Sequence, residues 1–375
     1  MPGLNPEVDP DGLLEYSVVF TDRSLNHMSK AFQQVMRDIS SSLKKVYKAH
    51  SVALVPGGGT YAMEAVARQF AADESVLIVR NGLFSFRWTA IFEASGVAKD
   101  QTVLQARRTK DEAHAPWTPA PLEEIVDSIH KNRPAVVFAP HVETSSGIIL
   151  PDKYIKAIGK AAREVDALFV LDCVASGAVW VDMQETDVDV LITAPQKGWS
   201  STPSAGMVML NQRARARADA VKSSSFACDL GAWLRIMDAY ENGGHAYHAT
   251  VPTDSLRSLR DTIGEIEAFG LEKAKEKQWE LGTKVRALLA EHGLPSVAAE
   301  GFEAPGVVVS YTEDEGIRTG KKFAAEGLQV AAGVPLKCDE PADFSTFRVG
   351  LFGLDKLQNV DRTVEYLKKA LDSIQ

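Results

Sequence analysis

The sequence predicts an α/β protein: a large domain on a mostly parallel mixed sheet flanked by helices, then a smaller C-terminal α+β domain. Two observations predict the sheet. Short apolar runs of strand length alternate with stretches of helical periodicity. Glycine-rich or polar turns follow several of those runs, and the residues suited to chemistry gather there, as they do at the carboxyl ends of parallel strands. A third observation is the length, 375 residues, which gives room for two domains and an ample core.

Taken in order, residues 1 to about 12 are rich in Pro, Gly and Asp and are expected to form an arm, within an N-terminal segment 1–23. Residues 13–20 read as a short strand. Over 24–48, Met28, Phe32, Val35, Met36, Ile39, Leu43 and Val46 recur at helical spacing. Residues 51–55 are an apolar strand ending in Pro56-Gly57-Gly58-Gly59-Thr60, with a helix over 61–70. A strand over 75–79 runs into Arg80-Asn81-Gly82-Leu83-Phe84. A helix over 122–131 precedes a strand over 135–139, which ends in Pro140-His141-Val142-Glu143-Thr144-Ser145-Ser146-Gly147. A helix over 154–165 and apolar runs at 167–171, 188–193 and 206–210 complete the pattern. Residues 24–255 are therefore read as the large domain and 256–375 as the small one. The latter has long helical periodicity over 255–291 interrupted at Gly270, a strand over 307–311, a helix near 316–326, a strand near 329–333 and a closing helix over 359–374.

Composition narrows the function classes. The chain is 45% hydrophobic and 24% charged, ordinary for a globular protein. A net charge of −9 and a pI near 5.5 argue against nucleic acid or an anionic membrane as partner. Cys173, Cys228 and Cys338 lack disulfide or zinc spacing, so a reducing compartment and no metal site are expected. The N-terminus has neither a basic nor an apolar leader region, and no apolar run approaches membrane-spanning length, which suits a cytoplasmic protein.

The chemistry centres on 188–210, VDVLITAPQKGWSSTPSAGMVML. A lysine between two buried strands is costly to desolvate unless it is paired or used covalently. Alone, Lys197 reads as a strand end in solvent. Asp172, at the end of the 167–171 run, changes that reading. A lysine and an aspartate at adjacent strand ends suit pyridoxal 5'-phosphate (PLP): the lysine forms the Schiff base and the aspartate keeps the pyridine nitrogen protonated. The Gly57–Thr60 turn has free N–H groups and close backbone approach to offer a phosphate, but by itself it is equally a tight strand-to-helix turn.

The run DCVASGAVWVDMQETDVDVLITAPQKG resembles the class V, fold-type I aminotransferases, most closely the alanine/serine–glyoxylate aminotransferase group, whose D-x-V-A-S block precedes S-x-Q-K. Ala194 stands where that serine is usual. The resemblance runs from about His27 to the C-terminus and implies the following roles. Gly58, Gly59 and Thr60 hold the cofactor phosphate, and Gln196 contacts it. Phe84 stacks on the pyridine ring, with Trp88 the inferior candidate. Thr144 donates to the cofactor, Asp172 pairs with the ring nitrogen, and Lys197 forms the Schiff base. His141 and Glu143 shape their loop. Tyr247 and Thr250, in a Y-x-x-T-x-P segment, reach the phosphate of the partner subunit, so a homodimer with shared active sites is implied. Arg348 clamps the substrate α-carboxylate; otherwise it would be a surface ion pair.

The implied activity moves an amino group from a small, alanine- or serine-like amino acid to a 2-oxo acid such as glyoxylate or pyruvate. A lyase of cysteine desulfurase or β-eliminating type is the alternative on the same fold. Cys338 invites it, although VPLKCDEPADF is not Ser/Gly-rich and no histidine precedes Lys197. A degenerate, non-enzymatic binding module is disfavoured by the joint presence of Lys197, Asp172 and Arg348. LEYSVVFTDRSLN replaces the family's upstream Gly-Pro-Gly segment. Tyr16 or Arg23 is thereby a candidate for lining the substrate pocket, against the plainer reading of Arg23 as a solvent residue.

Overall fold

In the computed structural model, which describes residue 8 and residues 13–374, seven strands form one sheet. They are β1 (Ser51–Pro56), β2 (Ser75–Arg80), β3 (Asp100–Gln105), β4 (Val136–Pro140), β5 (Leu168–Asp172), β6 (Val190–Thr193) and β7 (Ala205–Leu210). Their spatial order is β1-β7-β6-β5-β4-β2-β3. β7 runs against its neighbours β1 and β6, and every other pairing is parallel. β4 to β7 are buried along their whole length, which explains their near-continuous apolar sequences. β3, with the sequence DQTVLQ, sits half-buried at the sheet edge, and its polar residues hid it from a search for apolar runs.

The helices are α1 (Lys30–Tyr47), α2 (Gly59–Phe70), α3 (Leu83–Ser95), α4 (Leu122–Asn132), α5 (Asp152–Glu164), α6 (Gln212–Ala220), α7 (Leu230–Glu241), α8 (Thr253–Phe269) and α9 (Leu271–Glu291). α1 starts later than its periodicity suggests. Ser29 caps it by accepting from the Phe32 N–H, and Asn26 holds the preceding turn by accepting from the Met28 N–H. Gly270, at φ 101°, separates α8 from α9 where the sequence showed the interruption. The buried residues of α8 join the sheet core, whereas those of α9 join a second core with the closing helix Val360–Ile374.

That second core backs a three-stranded antiparallel sheet of β8 (Val307–Tyr311), β9 (Ala331–Ala332) and β10 (Thr346–Gly350), in the order β8-β10-β9. The helix expected near 316–326 is two short ones, Glu315–Arg318 and Lys321–Ala325, with Gly320 at φ 75° between them.

The strand expected over 13–20 does not form; these residues pair with no sheet. Glu15 accepts from the Ser17 N–H at 2.7 Å and from Asn26 Nδ2 at 2.8 Å, and Ser17 Oγ accepts from Asn26 as well. These bonds pin the backbone locally and turn Leu13, Leu14, Tyr16 and Val18 outward. The arm expected at 1 to about 12 lies, apart from Val8, outside the described residues. Among the described residues no helix is long and apolar enough to cross a membrane.

Candidate active site

Five parallel strands, β1, β2, β4, β5 and β6, deliver their carboxyl ends to one edge of the sheet, and the segments that follow them carry the candidate residues. Asp172 is the last residue of β5, in register with Pro140 of β4 and Ile192 of β6. It is buried, and the Val174 N–H donates to its Oδ1 at 2.9 Å. Burial pushes the carboxyl up to about 6. The Val174 bond and the Lys197 and Arg87 cations act against that rise, while the neighbouring Glu143 adds to it.

Lys197 stands in the turn after β6, its Nζ 5.7 Å from the centre of the Phe84 ring and 5.5 Å from that of Phe352. Its proton affinity is lowered, first by burial and further by Arg87 and Arg348, against the opposing pull of Asp172 and Glu143. An amine that gives up its proton more readily than usual is what nucleophilic attack on an aldehyde requires. Arg348 projects from the middle strand of the small sheet. Its Nε donates to the Ala332 carbonyl at 2.9 Å and its guanidinium carbon lies 5.9 Å from the Phe84 ring. Among the described residues no carboxylate forms an ion pair with it, so the reading as a surface pair has no support here. Burial lowers its pKa from the usual arginine value.

Phe84 is aimed by a buried carboxylate. Glu143, fully enclosed after β4, accepts from the Phe84 N–H at 3.1 Å, the Ser85 N–H at 2.9 Å and Ser85 Oγ at 2.7 Å. It also accepts from the Ser145 N–H and Oγ–H at 3.1 and 2.7 Å. A negative side chain on the first turn of α3 satisfies N–H groups that the helix itself leaves open. Gly82 permits the approach: a Cβ there would lie 2.0 Å from Ser145 Oγ and 2.7 Å from Glu143 Cγ. His141 shapes the same loop. Its N–H donates to the Asp172 carbonyl at 2.8 Å, its Nδ1 is 2.7 Å from Ser176 Oγ, and burial pushes it down to about 3. An imidazole so held is neutral at ordinary pH and unfit to give up a proton.

At the end of β1, α2 starts at Gly59 with no side chain capping it, so its first N–H groups are open to an anion. Gly59 also has a packing reason to be glycine, since a Cβ would meet Val174 Cγ2 at 2.8 Å. Thr60 is exposed and accepts from Arg87 Nη1 at 3.1 Å. Thr144 is buried, whereas Gln196 is exposed in the turn before Lys197.

The remaining candidates differ in burial. Trp88 is fully buried with its ring 4.3 Å from that of Phe138, so it is a core residue and Phe84 is the aromatic beside the lysine. Tyr247 is 54% exposed, and its hydroxyl and Thr250 Oγ1 are 3.2 Å apart. Tyr16 is 89% exposed and Arg23 is exposed too. Cys338 is buried against the Arg80 carbonyl, its thiol pushed up to about 12 chiefly by burial. Sequence reasoning passed over two residues at the site. Arg87 lies one helical turn beyond Phe84, a spacing that puts the two on one face. Phe352 follows Arg348 in the apolar run VGLF and carries no signal there that sets it apart from its neighbours.

The donor set fits pyridoxal phosphate. Asp172 is a buried acceptor for a ring N–H, Lys197 an amine of lowered proton affinity, Phe84 a planar face, and the open start of α2 a seat for a dianion.

Comparison with known proteins agrees. Residues 13–347 match the family described as Aminotransferase class-V. Rat (Rattus norvegicus) alanine–glyoxylate aminotransferase is 24% identical over 360 residues, covering 93% of this chain and 82% of that protein. The L-aspartate–glyoxylate aminotransferase of Paracoccus denitrificans is 27% identical over 310 residues, covering 77% and 74%. Among solved structures, alanine–glyoxylate aminotransferase from Nostoc sp. superposes with a TM-score of 0.77 at 24% identity, over 92% of this chain and 88% of that one.

Proposed function

The chain belongs to the class V aminotransferase family, and on that premise we propose that it moves the amino group of a small, alanine- or serine-like amino acid to a 2-oxo acid such as glyoxylate or pyruvate. Aminotransferase activity and dependence on pyridoxal phosphate come with the family and the fold-type I architecture. The observation that carries the reading is the grouping of Lys197, 5.7 and 5.5 Å from the Phe84 and Phe352 ring centres, with Arg348, 5.9 Å from the Phe84 ring centre, and with Asp172, whose charge acts on the lysine.

When bound, the cofactor supplies an electron sink for the pair left as the bond at the amino acid's Cα breaks. The chain's residues do the rest. Lys197 Nζ would hold the cofactor through its aldehyde carbon and, as a free amine, would take the proton from the substrate Cα and deliver it to that carbon. Asp172, buried at the end of β5, would accept the ring N–H and keep that proton in place. Arg348 offers a planar fork to the α-carboxylate, and its bond to the Ala332 carbonyl fixes the direction of that fork. The Phe84 and Phe352 rings, 5.7 and 5.5 Å from Lys197 Nζ, place apolar surface beside the amine.

Tyr247 and Thr250 support a homodimer in which each reaches the phosphate site of the partner subunit. Their exposure in one chain, together with the outward Leu13, Leu14, Tyr16 and Val18, fits surfaces that a second copy covers. The lyase alternative gains nothing from Cys338, whose buried thiol gives up its proton only near pH 12.

The test is a visible-absorption titration of the cofactor-loaded protein with single amino acids and no 2-oxo acid. Alanine or serine should convert the cofactor's band to that of its amine form, and glyoxylate or pyruvate should restore it. A band that recovers without any 2-oxo acid, while sulfide or ammonia is released, would instead establish a lyase.

A further inference from the structure

Arg87 is a cation at the centre of the site to which none of the roles above gives work. From the second turn of α3 its guanidinium carbon lies 4.6 Å from the centre of the Phe84 ring, and its Nη1 reaches across to Thr60 Oγ1 at 3.1 Å. That bond ties the aromatic helix to the first turn of α2. No carboxylate forms an ion pair with Arg87 among the described residues, and its charge is felt by both Asp172 and Lys197. A half-buried guanidinium with spare N–H donors and no counter-ion is costly unless an anion arrives to meet it.

Two anions come to this site, the cofactor's phosphate and the substrate's carboxylate. Thr60 decides between them. It belongs to the uncapped end of α2, where open N–H groups and the helix dipole favour a phosphate. The carboxylate has its own arginine, Arg348, arriving from the other domain. We propose that Arg87 is a cofactor-binding residue that receives the phosphate of pyridoxal phosphate, adding a cation to the cradle formed by Gly58, Gly59 and Thr60. The proposal rests on the pyridoxal phosphate reading of the site and adds to it a fixed positive charge. It also explains why Arg87 stacks on Phe84: one side chain sets the spacing between the ring that faces the pyridine and the end that holds the phosphate.

The experiment compares two probes, pyridoxal phosphate and phosphate-free pyridoxal, binding to the full chain stripped of cofactor, by equilibrium dialysis. Wild type, R87Q and R87K are compared, with urea midpoints to show that each is folded. R87Q should weaken pyridoxal phosphate by roughly 10- to 100-fold, the effect of losing a charge-assisted bond, and leave pyridoxal unchanged. R87K, with a point charge but no fork, should fall between. Equal losses for both probes would overturn the proposal and reduce Arg87 to an ordering contact for Phe84. Unchanged cofactor binding with a raised KM for dicarboxylic donors would overturn it too, in favour of a substrate contact. Failure of the wild type to bind pyridoxal phosphate would overturn the cofactor reading itself. Should R87Q not fold, the ratio of the two affinities in R87K decides the matter.

Discussion

The floor of the site and the loop that carries Tyr247 are held in opposite ways. Asp172, His141, Glu143, Thr144, Ser145 and Ser146 are all buried, and Glu143 alone accepts five hydrogen bonds. Tyr247 and Thr250 are exposed, and the hydrogen bond between their side chains joins two residues of the same loop. The floor is thus organised by one chain before any ligand arrives, which is what a site needs if its electrostatics are to cost no rearrangement during reaction. The loop leans on its own chain through the Tyr247 ring, 5.5 Å from that of His27, and through His248 Nε2, 2.8 Å from the Phe226 carbonyl; on the proposed reading a second copy covers its exposed side.

The sharpest way to break this contrast is at the floor. K197A should lower kcat by about 10^4-fold, the upper range for losing a proton-transferring group, while the fold survives. Stopped or steady-state rates alongside circular dichroism check it. A retained rate would mean that Lys197 is not the group that moves the proton.

A second test separates stability from function. In the folded, cofactor-free protein the Asp172 carboxyl is pushed up to about 6 from an ordinary 3.8. The folded state therefore holds a proton that the unfolded chain has released, and stability falls as pH rises from about 4 to about 6. Above that window the cost is complete, about 3 kcal/mol. Urea melts should show cofactor-free D172N more stable than wild type by that order at pH 8 and equal to it at pH 4, even though the variant loses activity. A difference that stays constant with pH would show that Asp172 does not titrate in this window.

The smallest effect belongs to the loop. Y247F removes one hydroxyl and should weaken pyridoxal phosphate by roughly 5-fold, with no change in urea midpoint at equal subunit concentration. Mixing Y247F with K197A should restore a fraction of active sites if the hydroxyl comes from the neighbouring subunit, because one mixed site receives both intact residues. No recovery would place Tyr247 in its own chain's site or in none.

Much of the floor was legible because its physics is local. The apolar runs at 188–193 and 206–210 could only be buried strands, and the break at Gly270 showed in the sequence as a gap in helical spacing. Asp172 and Lys197 could be paired because each follows such a run. What escaped was set by tertiary contacts. Val18, Val19 and Phe20 have the composition of a strand, yet Glu15 and Ser17 bond to Asn26 instead of to a neighbouring strand. Phe84 and Trp88 share a helix and a residue class. The resemblance favoured Phe84, and the position of Phe138 on β4 supplies the physical reason, since it takes Trp88 into the core. Arg87 carries no signal of its own in the sequence, since its meaning depends on Thr60, which lies on another helix.

The pairing of β1 has a consequence for how the molecule is made. β1 forms the sheet edge and is bonded to β7, from Ser51 opposite Leu210 to Pro56 opposite Ala205. A nascent chain presents the apolar stretch Ser51-Val52-Ala53-Leu54-Val55 long before its partner strand has been synthesised. Closing so long a loop is slow, and an unpaired apolar strand is prone to self-association while it waits. The start of α2 follows β1 directly, so the phosphate seat is fixed in place only after Leu210 has left the ribosome. Cofactor capture should accordingly wait for the β1–β7 pairing, and a chain truncated before β7 should aggregate rather than bind.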